Sequence, residues 1–381
     1  MSDATGLHGT CDDRFEAVRT AFANSFEQLG DVGASVAVTI DGEPVVDLWG
    51  GTCTTDAGAD QRWQDDTIIN VWSSTKTMSF LVILMLADRG LLDLDAPVAD
   101  VWPEFAANGK QQVTTKHLLS HAAGLSGFDQ ITSTTDLLDW NLICDRLAAQ
   151  APWWEPGSAS GYHAITQGYL LGEVARRVDG RTMGTFLAEE VTGPLGADFH
   201  IGTAARHDTR VAHVIPPPSP LGGDAAADSI AMRTFLSAPL DASESHTIPW
   251  RRAEIPAAGG HGNARSIARV MSILANEGTV AGTTFLSAET CRRIFEEQQN
   301  GVDLVLGTPL RFGLGFGLKS PEMPLPNEGC CYWGGWGGSL VIVDMENRIS
   351  FSYVMNEMRE GTTGDMRAAG PLFALYGALA G

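Results

Sequence analysis

Lysine is scarce in this chain. Only Lys76, Lys110, Lys116 and Lys319 occur, among 25 basic side chains set against 46 acidic ones. The net charge of −21 would repel phosphates, which argues against a nucleic-acid partner and against an anionic membrane surface. We read the acidity as a solubility device. No apolar run reaches the ~20 residues that a membrane-spanning helix needs, so no membrane partner is expected. Met1-Ser2-Asp3-Ala4-Thr5 shows neither the basic nor the apolar region of a secretory signal, and the expected location is cytoplasmic. Cys11, Cys53, Cys144, Cys291, Cys330 and Cys331 form no Cys-x-x-Cys pair; in a reducing compartment they are free thiols, small core residues for the most part. His-Glu-x-x-His and similar clusters are missing, so neither a metal nor a cofactor is expected. Gly-x-Ser-x-Gly is missing as well, and the nine histidines have no anchoring motif. An α/β-hydrolase elbow and a Ser-His-Asp triad therefore find no support.

What the chain does have is Val71-Trp72-Ser73-Ser74-Thr75-Lys76-Thr77-Met78-Ser79-Phe80, followed by the apolar residues 81–87. That run is too short to cross a bilayer and reads as a helix buried on nearly all sides. Ser73 stands at its head and Lys76 three residues on, a spacing that puts hydroxyl and amine on one helical face. An amine desolvated by apolar neighbours has its pKa lowered and can take the proton that makes serine a nucleophile. The local sequence leaves a second reading open, with Ser73 as an N-cap and Lys76 reaching back to water.

Hydrophobic spacing predicts a helix from Asp12 to Gly30, then a hairpin of residues 34–40 and 44–49 around Asp41-Gly42. The middle of the chain, to about residue 250, reads as helices and loops. It includes helices near 114–121, 165–177 and 182–191, and a Pro/Gly-rich loop or lid edge at 215–223. Beyond 255, helices are expected at 264–276 and 287–299, a strand at 312–318, a hairpin of 339–343 and 349–355, and a final helix at 365–380. The glycines of that 312–318 strand precede no Lys-Ser and open no helix, which argues against a phosphate loop. The fold class is thus α/β (α+β): residues 1–72 and 255–381 form one sheet domain, and 73–254 a mainly helical one. Ser73 falls where the two meet, and such clefts are usual places for sites.

Two further segments suit a serine hydrolase. Pro156-Gly157 and Tyr162 place a phenol on a loop just before a helix. Trp333-Gly334-Gly335-Trp336 brings glycine-rich backbone into a strand, where N–H groups can point at a substrate. Ser73-x-x-Lys76, Tyr162 and Trp333-Gly334-Gly335 occur in the order and rough spacing of the serine β-lactamase and penicillin-binding-protein superfamily. Within it the chain resembles the class C β-lactamase-like esterases, the family VIII carboxylesterases, over about residues 12–376. The stretch Leu118-Leu119-Ser120-His121-Ala122-Ala123-Gly124-Leu125 is also similar to one common there.

The resemblance implies a β-lactamase-like fold in which Ser73 attacks an acyl carbonyl and Lys76 with Tyr162 shuttles the proton. The backbone N–H groups of Ser73 and Trp336 would form the oxyanion hole. It also shows two departures. The asparagine of the family's Tyr-x-Asn is Ala164 here, and the lysine of its Lys-Thr-Gly is Trp333. Both remove partners for a β-lactam's amide and carboxylate and point to small, uncharged esters. Trp333, Trp336, Trp153 and Trp154 either wall a substrate pocket or simply pack in the core. His261 is the one histidine to watch, with a structural role favoured. The expected partner is a small-molecule ester, and the sequence does not decide whether the chain is a homo-oligomer. The alternatives are an amide hydrolase of D-aminopeptidase or β-lactamase type, an acyltransferase, and last a non-catalytic binding protein.

Overall fold

In the computed structural model, which describes residues 6–219, 226–362 and 364–380, the two ends of the chain build one antiparallel sheet. Its strands run in the order Leu7–Cys11, Glu43–Thr55, Gly33–Ile40, Ile349–Met355, Leu340–Asp344, Cys330–Gly334, Gly317–Leu318, Pro309–Phe312, Gln299–Val302, and Gly58–Arg62 pairs beside Glu43–Thr55. Asp41 and Gly42, at φ 54° and 82°, form the two-residue turn whose twist suits the first hairpin.

Alternation along the strands gives the sheet two covered faces. Tyr353 meets the Phe22 ring edge-on at 6.4 Å on one face, where Glu16–Gln28 packs with Met366–Ala380. Ser35 neighbours Val36, the partner of Tyr353, and so points the other way; it accepts a hydrogen bond from the Ala264 N–H at the start of Ala264–Ala275. The terminal helix is tied down by Arg367, whose buried guanidinium pairs with Asp31 at 3.1 Å, and Asp31 also accepts from Tyr353 Oη at 2.6 Å.

Lys76–Asp88 is apolar all round, and every residue from Lys76 to Leu86 is buried. It packs against Thr166–Asp179, which stops at left-handed Gly180 as its sequence predicts. Three expectations change. The helix expected at 182–191 continues through a π turn, Ala188–Thr192, to Leu195 and ends at left-handed Gly196. The one expected at 287–299 is only Ala288–Arg292 with a 3₁₀ turn, because Gln299 already joins the edge strand. The strand expected at 312–318 is broken at Gly313 to Phe316: a Cβ at Gly315 would lie 2.5 Å from the Phe80 ring, so the chain bends to pack there. Ile230–Ser237, capped by Ser229, is a helix that the sequence reading did not single out. Of the predicted lid, residues 220–223 lie outside the described residues, as do Met1 to Thr5. Among the described residues no helix is long and apolar enough to cross a membrane.

Candidate active site

A second, four-stranded sheet leads into the turn that carries Ser73. Ile68–Asn70 lies between Gly260–Gly262 and Val211–Ala212, and the chain then enters the 3₁₀ turn Trp72–Thr75 and the helix Lys76–Asp88. The turn is strained, with Trp72 at φ 48°, a conformation that costs a non-glycine residue roughly 1–3 kcal/mol. Neighbours over-determine it. Val71 N–H donates to the Gly260 carbonyl at 2.9 Å, Gly260 N–H donates to Thr75 Oγ1 at 2.9 Å, and Ser74 Oγ meets Ser339 Oγ at 2.9 Å. The Trp72 ring is wedged between Trp336, 4.9 Å away, and Trp250, 5.6 Å away. Three residues per turn eclipse positions i and i+3, which stacks Ser73 and Lys76 directly.

Lys76 Nζ lies 3.1 Å from Ser73 Oγ, 3.2 Å from Tyr162 Oη, 2.7 Å from the Ala164 carbonyl and 3.0 Å from the Ala257 carbonyl. Its side chain is buried, and no carboxylate is among these partners. Burial therefore holds its pKa well below the ordinary lysine value. A neutral amine has two N–H bonds, which the two carbonyls can accept, and its lone pair is then left for the Ser73 proton. Tyr162 Oη donates to Ser73 Oγ at 2.6 Å. Burial, helped by the negative charge of Asp303 and opposed by the Ser73 hydrogen bond, raises the pKa of this phenol. The phenol stays protonated at neutral pH.

Tyr162 is held from its backbone. Its N–H donates to Asp303 Oδ1 at 3.0 Å, and the same oxygen accepts from the N–H groups of Val305 and Leu306, both at 2.9 Å. Sequence reading missed Asp303, and an acid between Val302 and Leu304 in an apolar stretch was the available signal. His163 N–H donates to His121 Nδ1 at 3.0 Å, and the His121 ring lies 5.0 Å from that of Tyr162. Burial first, then mutual repulsion and Lys76, lowers the His121 pKa, so the ring is a neutral packing element.

One cavity borders Ser73 and a second borders Tyr162. The larger, about 320 Å³, is lined by Ser73, Trp336 and Ala164 and roofed by the helix Ile230–Ser237. The smaller, about 20 Å³, is lined by Tyr162, Trp333, Gly334 and Phe312 among others. Trp333 stacks on His121 at 5.4 Å and meets Phe80 edge-on at 5.2 Å, so it packs in the core and walls a cavity at once. Gly335, expected to contact substrate, lines neither cavity. A Cβ there would lie 2.3 Å from Ser339 Oγ and 2.4 Å from the Val71 carbonyl, so its bareness lets the strand end press against the turn that carries Ser73.

Three expected pocket residues line neither cavity. Trp153 donates from Nε1 to Asp129 and carries the Arg233 guanidinium on its ring face at 3.9 Å. Trp154 donates to the Ala159 carbonyl and packs edge-on against His163. His261 sits on Gly260–Gly262 with Nδ1 at 3.0 Å from the Gly259 carbonyl, and burial pushes its pKa down to about 3. Asp198, His200 and His207 are grouped closely enough to hold a metal, but Arg210 donates to Asp198 and contacts His207, filling the centre with a cation.

Residues 22–374 match the Beta-lactamase family. The chain belongs to that family. It is 37% identical over 369 residues to "Esterase/beta-lactamase LipL" of Mycobacterium tuberculosis, covering 92% of this chain and 83% of the relative. "Esterase EstB" of Burkholderia gladioli is 29% identical over 389 residues, 93% of each chain. A solved structure described as that of a family VIII carboxylesterase superimposes with a TM-score of 0.91 at 42% identity, over 98% of this chain and 99% of the other. The family's fold is thus this chain's fold, an antiparallel sheet with helices on both faces and a helical block between its sequence halves.

Proposed function

We propose that the chain is a serine carboxylesterase that cleaves small, uncharged esters through an acyl-enzyme on Ser73. One observation carries this reading: Ser73 Oγ is hydrogen-bonded to both Lys76 Nζ and Tyr162 Oη, with that amine sealed from water. Lys76 takes the Ser73 proton on its lone pair as Oγ attacks the ester carbonyl. The N–H groups of Ser73 and Trp336 receive the oxyanion. Tyr162 gives its proton to the departing alkoxide and is reprotonated by the Lys76 ammonium, 3.2 Å away. Water then enters, loses a proton along the same path, and releases the acid. Esterase-named relatives support the ester as substrate. So does Trp333, which puts an apolar ring where a carboxylate's cationic partner would stand. The helical block 73–254 and the sheet built from 1–72 and 255–381 meet at this site. All six cysteines are unpaired and five are buried, which suits a reducing cytoplasm.

The test is release of nitrophenol from nitrophenyl acetate and butyrate beside turnover of a chromogenic cephalosporin. A fluorophosphonate should label the wild type, and neither label nor turnover should survive Ser73→Ala. A cephalosporin turned over faster than the esters would replace this reading with β-lactam hydrolysis.

A further inference from the structure

The two cavities differ in size and in which catalytic groups they meet. The cavity of about 320 Å³ borders Ser73 itself, and the one of about 20 Å³ borders Tyr162, whose Oη lies 2.6 Å from Ser73 Oγ. Ser73 and Trp336 line the large one, and Tyr162 and Lys76 do not. Tyr162 lines the small one, with Trp333, Leu306 and Leu310. A carbonyl carbon attacked by Ser73 carries three substituents. Its oxygen goes to the Ser73 and Trp336 N–H groups. Its alkoxy oxygen must reach the proton on Tyr162 Oη, so the alcohol lies on the Tyr162 side. Only the large cavity remains for the acyl chain.

Among the described residues, none that lines that cavity is charged. Phe128, Ile165, Met232, Phe235, Leu236 and Leu240 supply apolar walls. Its hydroxyls are already engaged with the protein: Ser126 Oγ meets Thr234 Oγ1 at 2.7 Å, and Ser237 Oγ donates to the Thr234 carbonyl at 2.7 Å. Polar acyl groups would find no free partner there and would lose their own water. The small cavity has space for a group of about one or two heavy atoms before it meets the Leu310 and Trp333 side chains.

Resting on the esterase reading above, we infer that this enzyme selects esters of a medium-length or bulky apolar acid with a small alcohol such as methanol. Each methylene buried in the large cavity strengthens transition-state binding by about fourfold until the cavity is full. The same methylene on the alcohol gains nothing.

Methyl octanoate and heptyl acetate are isomers of equal apolar content, and they differ only in the side of the ester that carries the chain. Acid release followed at constant pH should give a kcat/KM at least tenfold higher for methyl octanoate. Ala238→Trp, which fills the large cavity, should lower the methyl octanoate to methyl acetate ratio by at least tenfold. Leu310→Ala, which opens the small one, should raise the heptyl acetate to methyl octanoate ratio. Equal rates for the isomers, or preference for heptyl acetate, would overturn the assignment even if both variants failed to fold. Nitrophenyl acetate separates this failure from failure of the esterase reading, because its activated leaving group needs neither cavity nor a proton. A wild type that releases nitrophenol only when Ser73 is intact, yet prefers heptyl acetate, refutes the cavity assignment alone.

Discussion

Gly335→Ala offers a sharp test of how the site is assembled. The added methyl would stand 2.3 Å from Ser339 Oγ, 2.4 Å from the Val71 carbonyl and 3.2 Å from Ser74 Oγ. Two of these contacts are far inside van der Waals distance, and one is backbone, which no rotamer change relieves. Relief must come from separating the end of Cys330–Gly334 from the turn that carries Ser73. Overpacking of this kind costs about 1–3 kcal/mol. For a chain of this length that lowers Tm by about 1–4 °C. Catalysis should suffer far more. Trp336, the next residue, is the proposed second oxyanion donor, and a ~1 Å misplacement of a catalytic group costs about 10²-fold. The experiment is kcat/KM on a nitrophenyl ester beside a thermal melt. A Tm change within this range with at least a 30-fold loss of rate is expected. An intact rate at a lowered Tm would show that the strand end does not hold the oxyanion donor.

Lys76→Arg puts a permanent cation where the neutral amine stands and removes the lone pair, and should lower kcat/KM by about 10²–10⁴-fold in a fluorophosphonate-labelling or turnover assay. Tyr162→Phe should lose a comparable factor for methyl esters and much less for nitrophenyl esters, whose leaving group needs no proton; equal losses would argue against proton donation by the phenol. In the wild type, activity falls as pH drops and the buried amine becomes protonated. The midpoint of log kcat/KM should lie well below 10.5, and it should vanish from the profile of Lys76→Arg. Arg367→Ala would strand Asp31, whose side chain is fully buried, and should cost about 3–5 kcal/mol in denaturant unfolding. A loss under about 1 kcal/mol would mean that the pair is dispensable.

Much of this molecule could be read from local pattern. Asp41-Gly42 between alternating apolar runs dictates its hairpin, and Gly180 ends its helix, because both depend on backbone conformations that few other residues adopt. The greasy run after Lys76 announced a buried helix for the same kind of local reason, and the chemistry of Ser73-x-x-Lys76 follows from a spacing that any helical turn would honour. What sequence could not supply was distance between strangers. Tyr162 reaches Ser73 across 89 positions, and Asp303 holds Tyr162 across 141. Trp153, Trp154 and Trp333 looked alike as aromatic candidates, yet only Trp333 walls a cavity, because a tryptophan's role is set by what lies against its two faces. Ile230–Ser237 carries no motif that marks it, and it forms the roof of the larger cavity. Residue identity determined which groups could react, while tertiary packing decided whether the amine was dry, where the proton could go, and which side of the ester had room.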